Sequence, residues 1–128
     1  MIASLLCLAL FGASPPTGTA AVEAALEQRS ARFEARLDQV VAAIEADLDR
    51  PGPAEQRRRI ALARIEALRP DIAAYAADAR AAFDALAAEE SGVRASELRE
   101  YGGALVRYAE GLPADLATQV DRELAVRP

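Results

Sequence analysis

The strongest constraint on this chain is a recurrence of large apolar residues at alternating steps of three and four, sustained over segments too long and too polar to be strands. Between residues 20 and 50 the series is Val22, Leu26, Phe33, Leu37, Val40, Val41, Ile44 and Leu48, with steps that average to the helical period. Glu23, Glu27, Arg29, Arg32, Glu34, Arg36, Asp38, Glu45 and Asp47 stand between them and read as a solvated face. Pro51-Gly52-Pro53 ends this first helix: glycine tolerates a tight turn, and a proline suits the first turn of a following helix.

A second helix is expected from Pro53 to about Glu90. Ile65, Leu68, Ile72, Tyr75, Ala79, Ala82 and Leu86 form its seam, with Phe83 alongside. Pro70 interrupts the run and removes one backbone hydrogen bond. The apolar phase is the same on both sides of it, which predicts one kinked helix rather than two. Ser91-Gly92 marks the next stop. A third helix is expected over about 96–110, capped by Ser96 and carrying Leu98, Tyr101, Leu105, Tyr108 and Leu112. Gly111 closes it, and Pro113 opens a fourth with Leu116, Val120 and Leu124.

No segment beyond residue 20 alternates like a strand. The expected fold class is therefore all-α: a long antiparallel helical hairpin with two shorter C-terminal helices, a three- or four-helix bundle over residues 21–128. Its core should be thin. A quarter of the chain is Ala, which favours helix strongly but buries little area, and only three Phe and three Tyr are present, with no Trp. Gly102-Gly103 inside the third helix would permit either a close approach by a neighbour or a bend.

Residues 1–20 read differently. Ile2–Ala13 is an uncharged apolar run, followed by Ser14-Pro15-Pro16 and then small residues, Gly18 and Ala20, suited to cleavage after Ala20. The expectation is a signal peptide and a periplasmic or secreted product. Membrane contact would come only through this segment before its removal, since a spanning helix needs about 20 apolar residues. The single cysteine, Cys7, lies here, so the mature chain would have none.

Composition narrows the chemistry. All 15 basic residues are Arg, with no Lys and no His. The chain therefore lacks an imidazole base or metal ligand, a Ser–His or Cys–His nucleophile pair, a Schiff-base amine and a P-loop lysine. With one cysteine, thiolate zinc sites and internal disulfides are ruled out. A net charge of −5 argues against nucleic acid as a partner. No enzymatic role, cofactor or metal is expected.

Four candidate features remain. Arg57, Arg58, Arg59 and Arg64 form the densest basic cluster, in the first turns of the second helix, where the helix dipole adds positive potential; an anion or an acidic partner would bind there. The bland alternative is a solvated helix end relieved by Glu55. Tyr75, Tyr101 and Tyr108 lie on seam positions and read as core residues with hydroxyls at an edge. Glu89-Glu90 and Glu97 with Glu100 read as exposed acidic residues rather than a cation site. The functional expectation is an exported, non-enzymatic protein that engages another protein or a second copy of itself as a homodimer. The alternative is a carrier of a lipid or other apolar ligand, in a cavity lined by Phe33, Phe83, Tyr75 and Leu105.

Overall fold

The computed structural model describes residues 17–127, which form three long helices: α1 (Thr17–Asp49), α2 (Ala54–Ala88) and α3 (Gly92–Val126). No strand occurs among the described residues. At a rise of 1.5 Å per residue, each helix is about 50 Å long. Most of the expected signal peptide lies outside the described residues; its last four, 17–20, make the first turn of α1.

The seam of α1 is more regular than its large apolar residues alone suggest. Leu26, Ser30, Phe33, Val40, Ile44, Asp47 and Leu48 are buried, with Leu37 packed partly beneath them. Two polar residues thus occupy seam positions. Asp47, expected on the solvated face, is only 1% exposed, because Arg64 of α2 reaches it. Ser30 is buried because its hydroxyl and that of Tyr75 share a hydrogen bond of 2.9 Å. Burying such groups is tolerable only where a partner is supplied, and α2 supplies one at each position.

The break between α1 and α2 falls at residues 50–53. Gly52 has φ of +135°, a conformation that side-chain-bearing residues rarely adopt. Pro53 is extended (φ −60°, ψ 140°) and caps α2, its carbonyl accepting from the backbone N–H of Gln56 (3.1 Å) and Arg57 (3.2 Å). Beyond it α2 runs unbroken through Pro70, whose ring is exposed, so the backbone carbonyl freed by the proline lies on a wet face.

The C-terminal third departs from expectation. In place of two short helices there is one of 35 residues, α3, with Pro113 inside it and buried. Ala95, Leu98, Gly102, Leu105, Ala109, Leu112 and Leu116 are buried in steps of three and four, with Val120 a turn further on. That phase crosses Pro113 without a break, so burial of one continuous stripe outweighs the backbone bond that the proline removes. Ser96 is consequently inside the helix, and Ser91 stands at its N-cap. The stripe also passes through Gly102 and Ala109 instead of their neighbours: Tyr101 is exposed and Tyr108 half-buried, while Tyr75 alone of the three is core.

Both α1 and α3 lie along α2 and touch each other sparingly. The pairs Arg29–Asp78, Arg36–Asp71 and Asp47–Arg64 join α1 to α2 in opposite senses. Arg58–Asp121 and the contact of Gly102 with Phe83 do the same for α2 and α3. A Cβ on Gly102 would come within 2.7 Å of the Phe83 Cβ, so glycine is what lets α3 approach α2 this closely. Phe33 stacks on Tyr75 across the other interface, with centroids 4.4 Å apart and planes 2° from parallel.

Candidate functional site

The four arginines singled out by sequence do not form a free cationic patch. Arg57, 9% exposed, turns inward and donates from Nη1 to the carbonyl of Leu48 at 2.8 Å. It thereby satisfies one of the carbonyls left open at the C-terminus of α1 and sets a positive charge at the negative end of that helix dipole. Its Nε is buried without a partner among the described residues.

Arg58 donates to Asp121 of α3 at 2.8 Å. Arg64 grips both carboxylate oxygens of Asp47, with Nη2 at 3.3 Å from Oδ1 and Nε closer to Oδ2. Those hydrogen bonds raise the pKa of Arg58 and Arg64 above the ordinary guanidinium value, so both stay charged. Arg59 alone points into solvent. Three of the four therefore tie helix ends together, an arrangement between the two readings of the sequence, the anion site and the solvated helix end.

A feature that sequence reasoning missed lies beside them. Because α1 and α3 meet α2 but hardly each other, a furrow of about 490 Å³ runs between their C-terminal halves. Val41, Ile44, Leu48, Leu116 and Val120 line its floor, and Glu45, Gln119 and Arg122 stand on its banks. Further down, half-buried Tyr108 lies near Glu34 and Asp38 of α1. Burial raises its pKa, and the charges of Glu34, Asp115 and Asp38 raise it further. The signal for this furrow was present in α1, where Val41 flanks the seam that α2 covers, but only the placement of α3 shows that it stays partly open.

The residues expected to enclose an apolar ligand do not line the furrow. Phe33 and Tyr75 stack on each other, and Phe83 lies against Gly102. A second depression of about 170 Å³ crosses the α1–α2 seam and is lined by Phe33 and Tyr75 of that expected set, without Phe83 or Leu105, among Arg29, Arg32, Arg36, Asp71 and Asp78; Arg29 and Arg36 are already paired with the two aspartates. Among the described residues, no group of three or more His, Cys, Asp or Glu side chains is placed to hold a metal ion, and no helix is long and apolar enough to cross a membrane.

Fold and site together define a class no narrower than an all-α protein of three long helices, held at one end by arginines. Comparisons with protein-family models, with curated proteins and with solved structures found no match.

Proposed function

We propose that this chain is a non-enzymatic interaction protein that offers the furrow between α1 and α3 to a helix of another protein or of a second copy. The single observation that carries the reading is the furrow itself. It is a concave strip with an apolar floor and banks of both charge signs, left where two parallel helices rest on a third. An amphipathic helix laid there would complete a fourth position around the core, its apolar stripe over Val41 and Leu116 and its charges matched to Glu45 and Arg122. In this reading α1 and α2 form an antiparallel hairpin and α3 returns alongside it.

The same reading takes the chain as exported, cleaved after Ala20, and periplasmic or secreted. What supports it is the apolar Ile2–Ala13 run and the small residues that follow. It takes the absence of His, Lys and a mature-chain cysteine as the reason to expect no catalysis.

Purification of the tagged chain from envelope extracts, with N-terminal sequencing of the same material, tests both parts. The expected result is a start near Ala21 and a partner retained by the native chain but lost in Val41→Asp. A partner held equally by both would remove the furrow from the account, and an uncleaved N-terminus would remove export.

A further inference from the structure

The furrow reaches the end where α1 and α3 both finish, and Arg127 is among the side chains that line it there. Arg127 follows the last residue of α3 on an extended backbone (φ −100°, ψ 120°), its N–H donating to the Glu123 carbonyl at 3.1 Å. Its guanidinium is anchored on its own helix, donating to the Glu123 carboxylate from Nη2 at 2.9 Å and from Nε at 3.2 Å. From there Nη1 crosses to the carboxylate of Asp49, the last residue of α1. Arg127 thus lines the furrow and bridges two helices that otherwise barely touch.

We propose that Arg127 is a strap: its bond to Asp49 holds that end of the furrow narrow, and its release lets the ends of α1 and α3 part. The end of α1 is held to α2 through Arg64–Asp47 and through Arg57 on the Leu48 carbonyl, whereas α3 is held through Arg58–Asp121, so the parting is a swing of the last turn of α3 beyond Asp121. Asp49 is 72% exposed, so the pair is screened and readily broken. An ion pair of this kind biases closed over open by at most about fivefold. Raising salt to about 1 M shortens the screening length to ~3 Å and should remove most of that bias. A strap this weak is one that a docking segment could displace. Only that purpose rests on the reading of the furrow as a docking surface, and the strap is tested without any partner.

The test is a distance measurement between spin labels at positions 46 and 125, in a Cys7→Ser background, on the full chain. At low salt the expected distribution is short and narrow. In 1 M NaCl, and in Arg127→Gln at low salt, it should lengthen and broaden. Asp49→Asn should give the same change, and the double variant no more than either single one. Labels at positions 24 and 96, towards the other end, should not move. An unchanged 46–125 distance in high salt and in Arg127→Gln would overturn the strap. Equal movement at the 24–96 pair would also overturn it, by showing general loosening. Because salt also screens the exposed Arg58–Asp121 pair, Asp49→Asn at low salt, which leaves that pair intact, decides the matter where Arg127→Gln impairs folding.

Discussion

At the scale of residues, neighbours of the same type have opposite consequences here. Gly102 and Gly103 look equivalent in sequence, yet a methyl on Gly102 would strike Phe83, while one on Gly103 would meet only the flexible end of Arg107 at 3.3 Å. Gly102→Ala should therefore lower stability by about 1–2 kcal/mol, overpacking outweighing the gain in helix propensity. Gly103→Ala should raise it by about 0.5–1 kcal/mol. Urea unfolding of the two variants checks both signs.

The arginines divide in the same way. Arg58–Asp121 is an exposed pair, so Arg58→Ala should lower the urea midpoint little. Arg64→Ala strands a buried Asp47 carboxylate, with Arg50 at 3.9 Å left near it, and should lower stability several times more than Arg58→Ala. Equal losses in the two variants would refute the structural role given to Asp47.

Tyr108 adds a pH dependence. Burial and the nearby carboxylates favour its neutral form in the folded chain. Its contribution is therefore undiminished below the unfolded tyrosine value of about 10 and declines as pH rises through that value towards the higher folded one. The thermal midpoint of Tyr108→Phe should fall less steeply above about pH 10 than that of the native chain.

At the scale of elements, α2 was legible from the sequence and α3 was not, although one argument applies to both. Across Pro70 the apolar phase is preserved, and the helix is continuous there. The same test across Pro113 follows Leu105, Ala109, Leu112 and Leu116 without a reset. What hid it was the choice of large residues as markers: Tyr101 and Tyr108 drew the seam one position away from Gly102 and Ala109, and a small residue buried against a neighbour carries no hydropathy signal of its own. Ser30 and Asp47 were hidden for the related reason that a polar residue on a seam reads as surface until its partner is known. Pro51-Gly52-Pro53 was legible because its consequence is local, set by φ and a missing N–H rather than by tertiary contact. The two prolines also give a test. Amide exchange should show protection continuing on both sides of Pro113 through 105–120, whereas a loop there would exchange quickly over 110–114. Pro70→Ala, on an exposed face, should stabilise the chain by about 1–3 kcal/mol.

At the scale of the whole molecule, the furrow follows from arithmetic that no single helix contains. α2 has two neighbours and buries residues along its length against both, while α1 and α3 have only α2 in common. Alanine at positions 61, 76, 79 and 87 draws both outer helices in against α2, but nothing of comparable reach fills the space between their C-terminal halves. The arginines then act as ties at the end that this space reaches. The sequence showed Val41 and the arginines but not the space itself, which depends on which helices are left without a common partner.

The furrow is proposed to take a helix of a partner. Photo-crosslinking in whole cells, with the reactive residue placed in turn at positions 41, 119 and 77, tests that proposal directly. Positions 41 and 119 lie in the furrow, and 77 on the exposed outer face of α2. The prediction is a discrete adduct from 41 and 119 and none from 77. Adducts from 77 with none from the furrow positions would contradict it.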